Sequence, residues 1–175
     1  MNFALKRIDA LLNSITMYRL LLYGLIILLA LASLFSFSGV LSTPGEGILA
    51  ATGVLVVVSY LTNKLLGHVY GAATNTESYL ITALILACIL PPSTTLENLS
   101  YIALAAVIAV TSKFVLSYHH KHIFNPAVIA AVAVSLLKLM SVTWWIGNPT
   151  MLPFTVLLGL LVVRKIHRFK LVTIF

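Results

Sequence analysis

Residues 76–93 read TESYLITALILACILPPS, residues 118–131 read YHHKHIFNPAVIAA, and between them runs an apolar stretch. Two short apolar segments, 79–90 with its flanks and 126–140, carry a proline at one end. As helices of about 14 residues they cover about 20 Å, against a hydrocarbon core of about 30 Å. A short helix at membrane depth is tolerated only where its free backbone groups are buried in protein or line a wet cavity, and in transporters such pairs mark the binding site. This stretch is therefore the first pointer to function.

The flanking sequence sets the class. Hydrophobic residues make up 61% of the 175 and charged residues 9%, far from the balance of a soluble domain. The expectation is an all-α, polytopic membrane protein of about six transmembrane helices, two of them short, with no room for a soluble catalytic domain. A formal charge of +7 does not point to nucleic acid, because the basic residues sit at span ends without aromatic interleaving. A lone Cys88 excludes an intramolecular disulfide, and no cleavable signal is read at the amino terminus.

Residues 1–16 place Phe3, Leu5, Ile8, Leu11, Leu12 and Ile15 at roughly helical spacing among polar residues, which predicts an amphipathic interfacial segment ahead of a transmembrane domain over 17–175. The spans are read at 17–40, 47–62, the short third segment, 99–117, the short fifth, and 151–163. A tight loop is expected at 41–46 and a polar connection at 67–78. The chain stops within the apolar run LVTIF, which reads as an excerpt of a longer protein.

With the amino terminus in the cytoplasm, nine of the eleven Lys and Arg residues fall in or beside inner loops. The outer loops 41–46, 91–98 and 141–150 hold none, and this charge bias sets the orientation in a plasma (inner) membrane. Trp144 and Trp145 are then expected in the outer aromatic belt.

The block ESYLITALILACILPPS, a fourth span containing SKF and a polar connection into FNPA together resemble the D subunit of the Rnf electron-transport complex. They are likewise similar to the B subunit of the sodium-pumping NADH:quinone oxidoreductase. The residues that carry the resemblance are Glu77, Thr82, Pro91, Pro92, Asn125, Pro126 and Ala127, followed by LLGLLVVRKIHRFKLV at 157–172. It covers roughly residues 64–173. The resemblance implies a fold similar to urea transporters, in a membrane subunit that passes electrons through flavin, FMN or riboflavin, while its complex moves Na⁺ or H⁺. It also implies other electron-transport subunits or a ferredoxin-reductase-like domain as partners, and a quinone or another membrane acceptor.

Two departures shape the expectation. The Ser-Gly-Ala-Thr-type sequence that carries covalent FMN in the family is absent after the Asn-Pro-Ala helix; Gly71-Ala72-Ala73-Thr74 lacks the leading serine and lies in another loop. The family's glycine pair before Asn-Pro-Ala is replaced by Tyr118, His119 and His120. The chain reads as a divergent, shortened member whose flavin is held without a covalent bond.

The candidate cofactor-binding residues are Asn125, Pro126, Thr82, Glu77 and His120, and the candidate ion pathway is Glu77 with Lys113; no metal site is expected. Each has a plainer reading. Asn125-Pro126 is a good helix start in its own right, although such a start also offers N–H groups to an anion or a carbonyl. Glu77 suits a helix N-terminus, Lys113 can snorkel, and His119, His120 and His122 beside Lys121 suit an inner interface. Two other functions remain open: a permease or channel built on the short helices, and a membrane anchor for a cytoplasmic flavoprotein reductase.

Overall fold

A computed structural model describes Arg7 and residues 12–72, 75–118 and 121–166. The chain is a helical membrane protein. Helices α1 (Met17–Phe37), α2 (Gly45–Val69) and α4 (Leu96–Val115) are each long and apolar enough to cross a membrane. The shorter helices are α3 (Thr76–Ile89), α5 (Pro126–Leu136) and α6 (Leu152–Lys165), and a 3-10 turn lies at Trp145–Gly147. Large apolar side chains such as Ile27, Leu34, Val57, Leu61 and Val156 stand exposed around the long helices and α6. Patches of that extent mark a membrane surface in a chain of this composition.

Short α3 is the axis of the bundle. It touches α1, α2, α4, α5 and the 3-10 turn, and Tyr79, Ile81, Thr82, Ala83, Leu84, Leu86, Ala87 and Cys88 are buried along it. A helix that is apolar all round belongs inside. Its bounds follow from local chemistry: Asn75 accepts from the Glu77 N–H at 2.9 Å at the start, and Pro91-Pro92 ends it. Helix α4, which packs chiefly against α2 and α5, carries Ala105, Ala106 and Ala109, all fully buried, the small residues that let membrane helices approach closely. At Gly47 an added Cβ would come within 3.1 Å of the Ser93 backbone nitrogen and 3.2 Å of the Pro92 carbonyl carbon. Glycine there lets the start of α2 rest on the Pro-Pro turn that closes α3.

Several bounds differ from expectation. Helix α2 begins at Gly45, inside the expected 41–46 loop, and runs to Val69 through Asn63, Lys64 and His68. Asn63 is buried and the Lys64 ammonium lies 5.9 Å from the Tyr60 ring centroid, so polar residues here ride a continuing helix instead of ending it. Helix α5 stops at Leu136, short of Met140, because Lys138 takes a left-handed φ of 54°. Its N–H donates to the Ser135 carbonyl while the Leu139 N–H donates to the Val134 carbonyl, a helix-terminating pattern. Between α4 and α5, where a loop was expected, β1 (Ser117–Tyr118) and β2 (Lys121–His122) form a minimal antiparallel hairpin pairing Ser117 with His122.

The amphipathic reading of 1–16 falls largely outside the described residues. Leu12 to Ser14 are helical, and Thr16 then caps α1 by accepting from the Arg19 N–H at 3.2 Å. The Lys165 ammonium reaches the Leu12 carbonyl at 2.5 Å, tying the end of α6 to this entry segment. Arg19, Lys113 and Lys165 thus lie at one end of the bundle, the end where α1, α3 and α5 begin and where α2, α4 and α6 finish.

Candidate functional site

At this basic end, between the first turns of α3 and α5, lies a pocket of about 360 Å³. Helix α3 supplies Ser78, Ile81, Thr82 and Ile85, positions three and four apart that share one helical face. The last turn of α4 supplies Lys113, and the chain leaving the hairpin supplies Ile123, Phe124, Asn125 and Pro126. Tyr18, in the first turn of α1, completes the wall. Ile81, Thr82 and Lys113 are buried, whereas Tyr18, Ile123 and Phe124 are exposed, so the former make the floor and the latter the mouth.

The polar groups of the floor form one connected set. The Lys113 ammonium donates to the Ser78 carbonyl at 2.7 Å and reaches Ser78 Oγ at 3.1 Å. The Thr82 hydroxyl donates to the same Ser78 carbonyl at 2.9 Å. Across the pocket, Asn125 Oδ1 accepts from the Ala127 N–H at 3.0 Å, with Pro126 at the first position of α5. The oxygen of Asn125 is spent on capping; its amide N–H groups remain as donors.

Thr82, Lys113, Asn125 and Pro126, singled out in the sequence for different reasons, line one pocket. Glu77 does not join them. Its carboxylate accepts from Arg19 Nε at 2.9 Å, joining α1 to the first turn of α3 beside the pocket. His120, with His119 and Thr74, lies outside the described residues. Among the described residues no three His, Cys, Asp or Glu side chains cluster to hold a metal ion. Ser78 was not singled out, although its place one turn before Thr82 on the same face is the signal that locates it. Tyr18, Ile123 and Phe124 carry no sequence signal, since their positions depend on how α1 and the hairpin pack.

The far end of α3 is closed by protein. The Thr143 N–H donates to the Ile89 carbonyl at 3.1 Å, and Trp145 Nε1 donates to the Ala87 carbonyl at 2.8 Å. These bonds satisfy carbonyls that a short helix would otherwise leave free in the membrane. Trp145, half-buried, turns its indole inward to this bond, while Trp144 is exposed. Trp145→Phe keeps the ring and deletes the donor, and hydrogen bonds inside membranes are worth about 0.6 kcal/mol on average and up to about 1.7. A stability loss of about 0.5–1.5 kcal/mol is expected in detergent unfolding, with Trp144→Phe neutral. Equal losses from the two variants would show that the Trp145 bond to Ala87 adds no stability of its own.

In comparison with known proteins, no family model matches the chain, and no curated protein or solved structure matches it.

Proposed function

We propose that this chain is a membrane subunit of an ion-motive electron-transport oxidoreductase, binding flavin non-covalently in the pocket between α3 and α5. The observation that carries this reading is the meeting of Thr82 with Asn125 and Pro126. They belong to separate blocks of the family resemblance, and both blocks contribute to one cavity. The volume lies toward the small end of the range for organic ligand sites, about 300–1,000 Å³.

The donor set suits a flavin ring. Its carbonyl edge would meet donors from Asn125 and Lys113, and its apolar face would lie against Ile81, Ile85 and Phe124. Flavin, when bound, supplies one- and two-electron chemistry. The chain's own contribution is to orient the ring and shield it from water. On this reading the basic end faces the cytoplasm of a cell with the chain in its plasma membrane, where a ferredoxin-reductase-like partner would deliver electrons. A quinone or another acceptor in the membrane would take them, with Na⁺ or H⁺ moved by the whole complex.

The test is an absorption spectrum of the chain purified in detergent, before and after incubation with riboflavin or FMN and gel filtration. Retained flavin bands that denaturation releases are the expected result. A chain that elutes colourless after incubation with either flavin would overturn the reading, and flavin fluorescence surviving on a denaturing gel would overturn its non-covalent part.

A further inference from the structure

The floor of the pocket holds a charge that no described residue lining it compensates. Lys113 is only 8% exposed, and the acceptors that its ammonium reaches are the neutral carbonyl and hydroxyl of Ser78. Among the described residues no carboxylate lines the pocket, and Glu77, the nearest in sequence to Ser78, is engaged by Arg19. An ammonium has three N–H donors, so after two contacts with Ser78 a donor remains. Buried charges as a rule are paired, because taking one out of water without a partner is costly.

Two further features give the missing partner its character. Helices α3 and α5 both start at this pocket, and their N-terminal dipole ends add positive potential to that of the lysine. Facing the lysine, Ile81, Ile85, Ile123 and Phe124 offer an apolar lining that leads out to an exposed mouth. A bare inorganic anion would satisfy the charge and waste that lining; a neutral apolar molecule would do the reverse.

We infer that the pocket binds an amphiphilic anion, with a carboxylate or phosphate oxygen on Lys113 Nζ and an apolar body along Ile81, Ile85, Ile123 and Phe124. This shares with the proposed function the premise that the pocket is a ligand site, but it does not depend on flavin being the ligand. The source of such an anion is either the bilayer, as a fatty acid or an acidic lipid, or the aqueous phase, as a small phosphorylated or carboxylated molecule.

The experiment compares decanoate, decanol and inorganic phosphate as ligands of the detergent-purified chain, read by native mass spectrometry and by the shift in melting temperature. Decanoate is expected to bind at least tenfold more tightly than decanol, its uncharged counterpart. Lys113→Met should erase that difference and Lys113→Arg should retain it. Phosphate binding as tight as decanoate binding would leave the apolar lining without a part in recognition and overturn the inference; decanoate bound where phosphate is not would place the source in the membrane. Equal binding of decanoate and decanol to the unaltered chain overturns the inference even if neither variant folds. So does a preference for decanoate that Lys113→Met leaves intact. Flavin retention is read separately by absorbance, so a colourless chain that selects decanoate would sink the flavin reading and leave the anion site standing.

Discussion

Replacing Leu86 by alanine is expected to cost about 2–3 kcal/mol of stability, the largest loss among the single substitutions considered for the bundle. Leu86 is fully buried in the last turn of α3, where its methyl groups have protein on every side. In a water-soluble core a Leu→Ala change costs about 2–5 kcal/mol, part from transfer of the removed atoms and part from the cavity left behind. Lipid tails are as apolar as leucine, so between membrane helices the transfer part largely falls away. What survives is lost dispersion contact around the cavity, which argues for the lower half of that range. Leu96→Ala supplies the comparison, because Leu96 is 85% exposed at the start of α4 and its removal should change stability by less than about 0.5 kcal/mol. Both are measured by unfolding in mixed micelles. A neutral Leu86→Ala would mean that α3 is not the packed axis, and with it would go the argument that a short helix survives here by burial.

That axis was legible in the sequence because its signals are local. Glu77, a residue suited to a helix N-terminus, and Pro91-Pro92 after the run are marks read without knowing what the helix touches, although the start at Thr76 and its Asn75 cap fall inside the stretch read as a polar connection over 67–78. The apolar content of the run announced burial, and its length announced that it could not span alone. The convergence of Thr82 with Asn125-Pro126 was anticipated only as an expectation that two short helices pair. What remained hidden depends on contacts between distant residues. Lys113 and Ser78 are 35 positions apart and Trp145 and Ala87 are 58 apart, so nothing in either neighbourhood predicts the bond. Trp145 is the instructive case: its position near a span end matched the belt pattern, and nothing in that pattern foretold that its N–H would meet the Ala87 carbonyl of α3. The end of α5 failed to register for a different reason. Lysine is not a residue that usually marks a left-handed turn, so KLM read as a continuation of the helix. The hairpin at 117–122 is two residues per strand, too short for any alternation of apolar and polar positions to appear.

Asn125→Leu is expected to weaken flavin binding well over tenfold while leaving the fold nearly intact. The two effects come from different atoms of one side chain. Asn125 Oδ1 caps α5 through the Ala127 N–H at 3.0 Å, and loss of such a cap typically costs about 1 kcal/mol. Pro126 still begins the helix, with φ already suited to it and no N–H to be left unsatisfied. A bundle in which α5 packs chiefly along α4 and also touches α3 absorbs a loss of that size. Asn125 also lines the pocket, at its exposed mouth: leucine fills a similar volume but donates nothing, so a flavin carbonyl that covers this wall on binding would be left without a partner. Tenfold in affinity corresponds to about 1.4 kcal/mol, and an unpaired buried acceptor costs about 1–3 kcal/mol, so the penalty on binding exceeds the penalty on folding. Asn125→Asp separates the roles further, since aspartate caps α5 as well as asparagine does but replaces the amide donors by acceptors and places a carboxylate opposite Lys113. It should preserve the melting temperature and still lose flavin. If binding in both variants falls only as far as their melting temperatures do, Asn125 is a helix cap and nothing more, and the pocket must find its flavin-recognising group elsewhere in its wall.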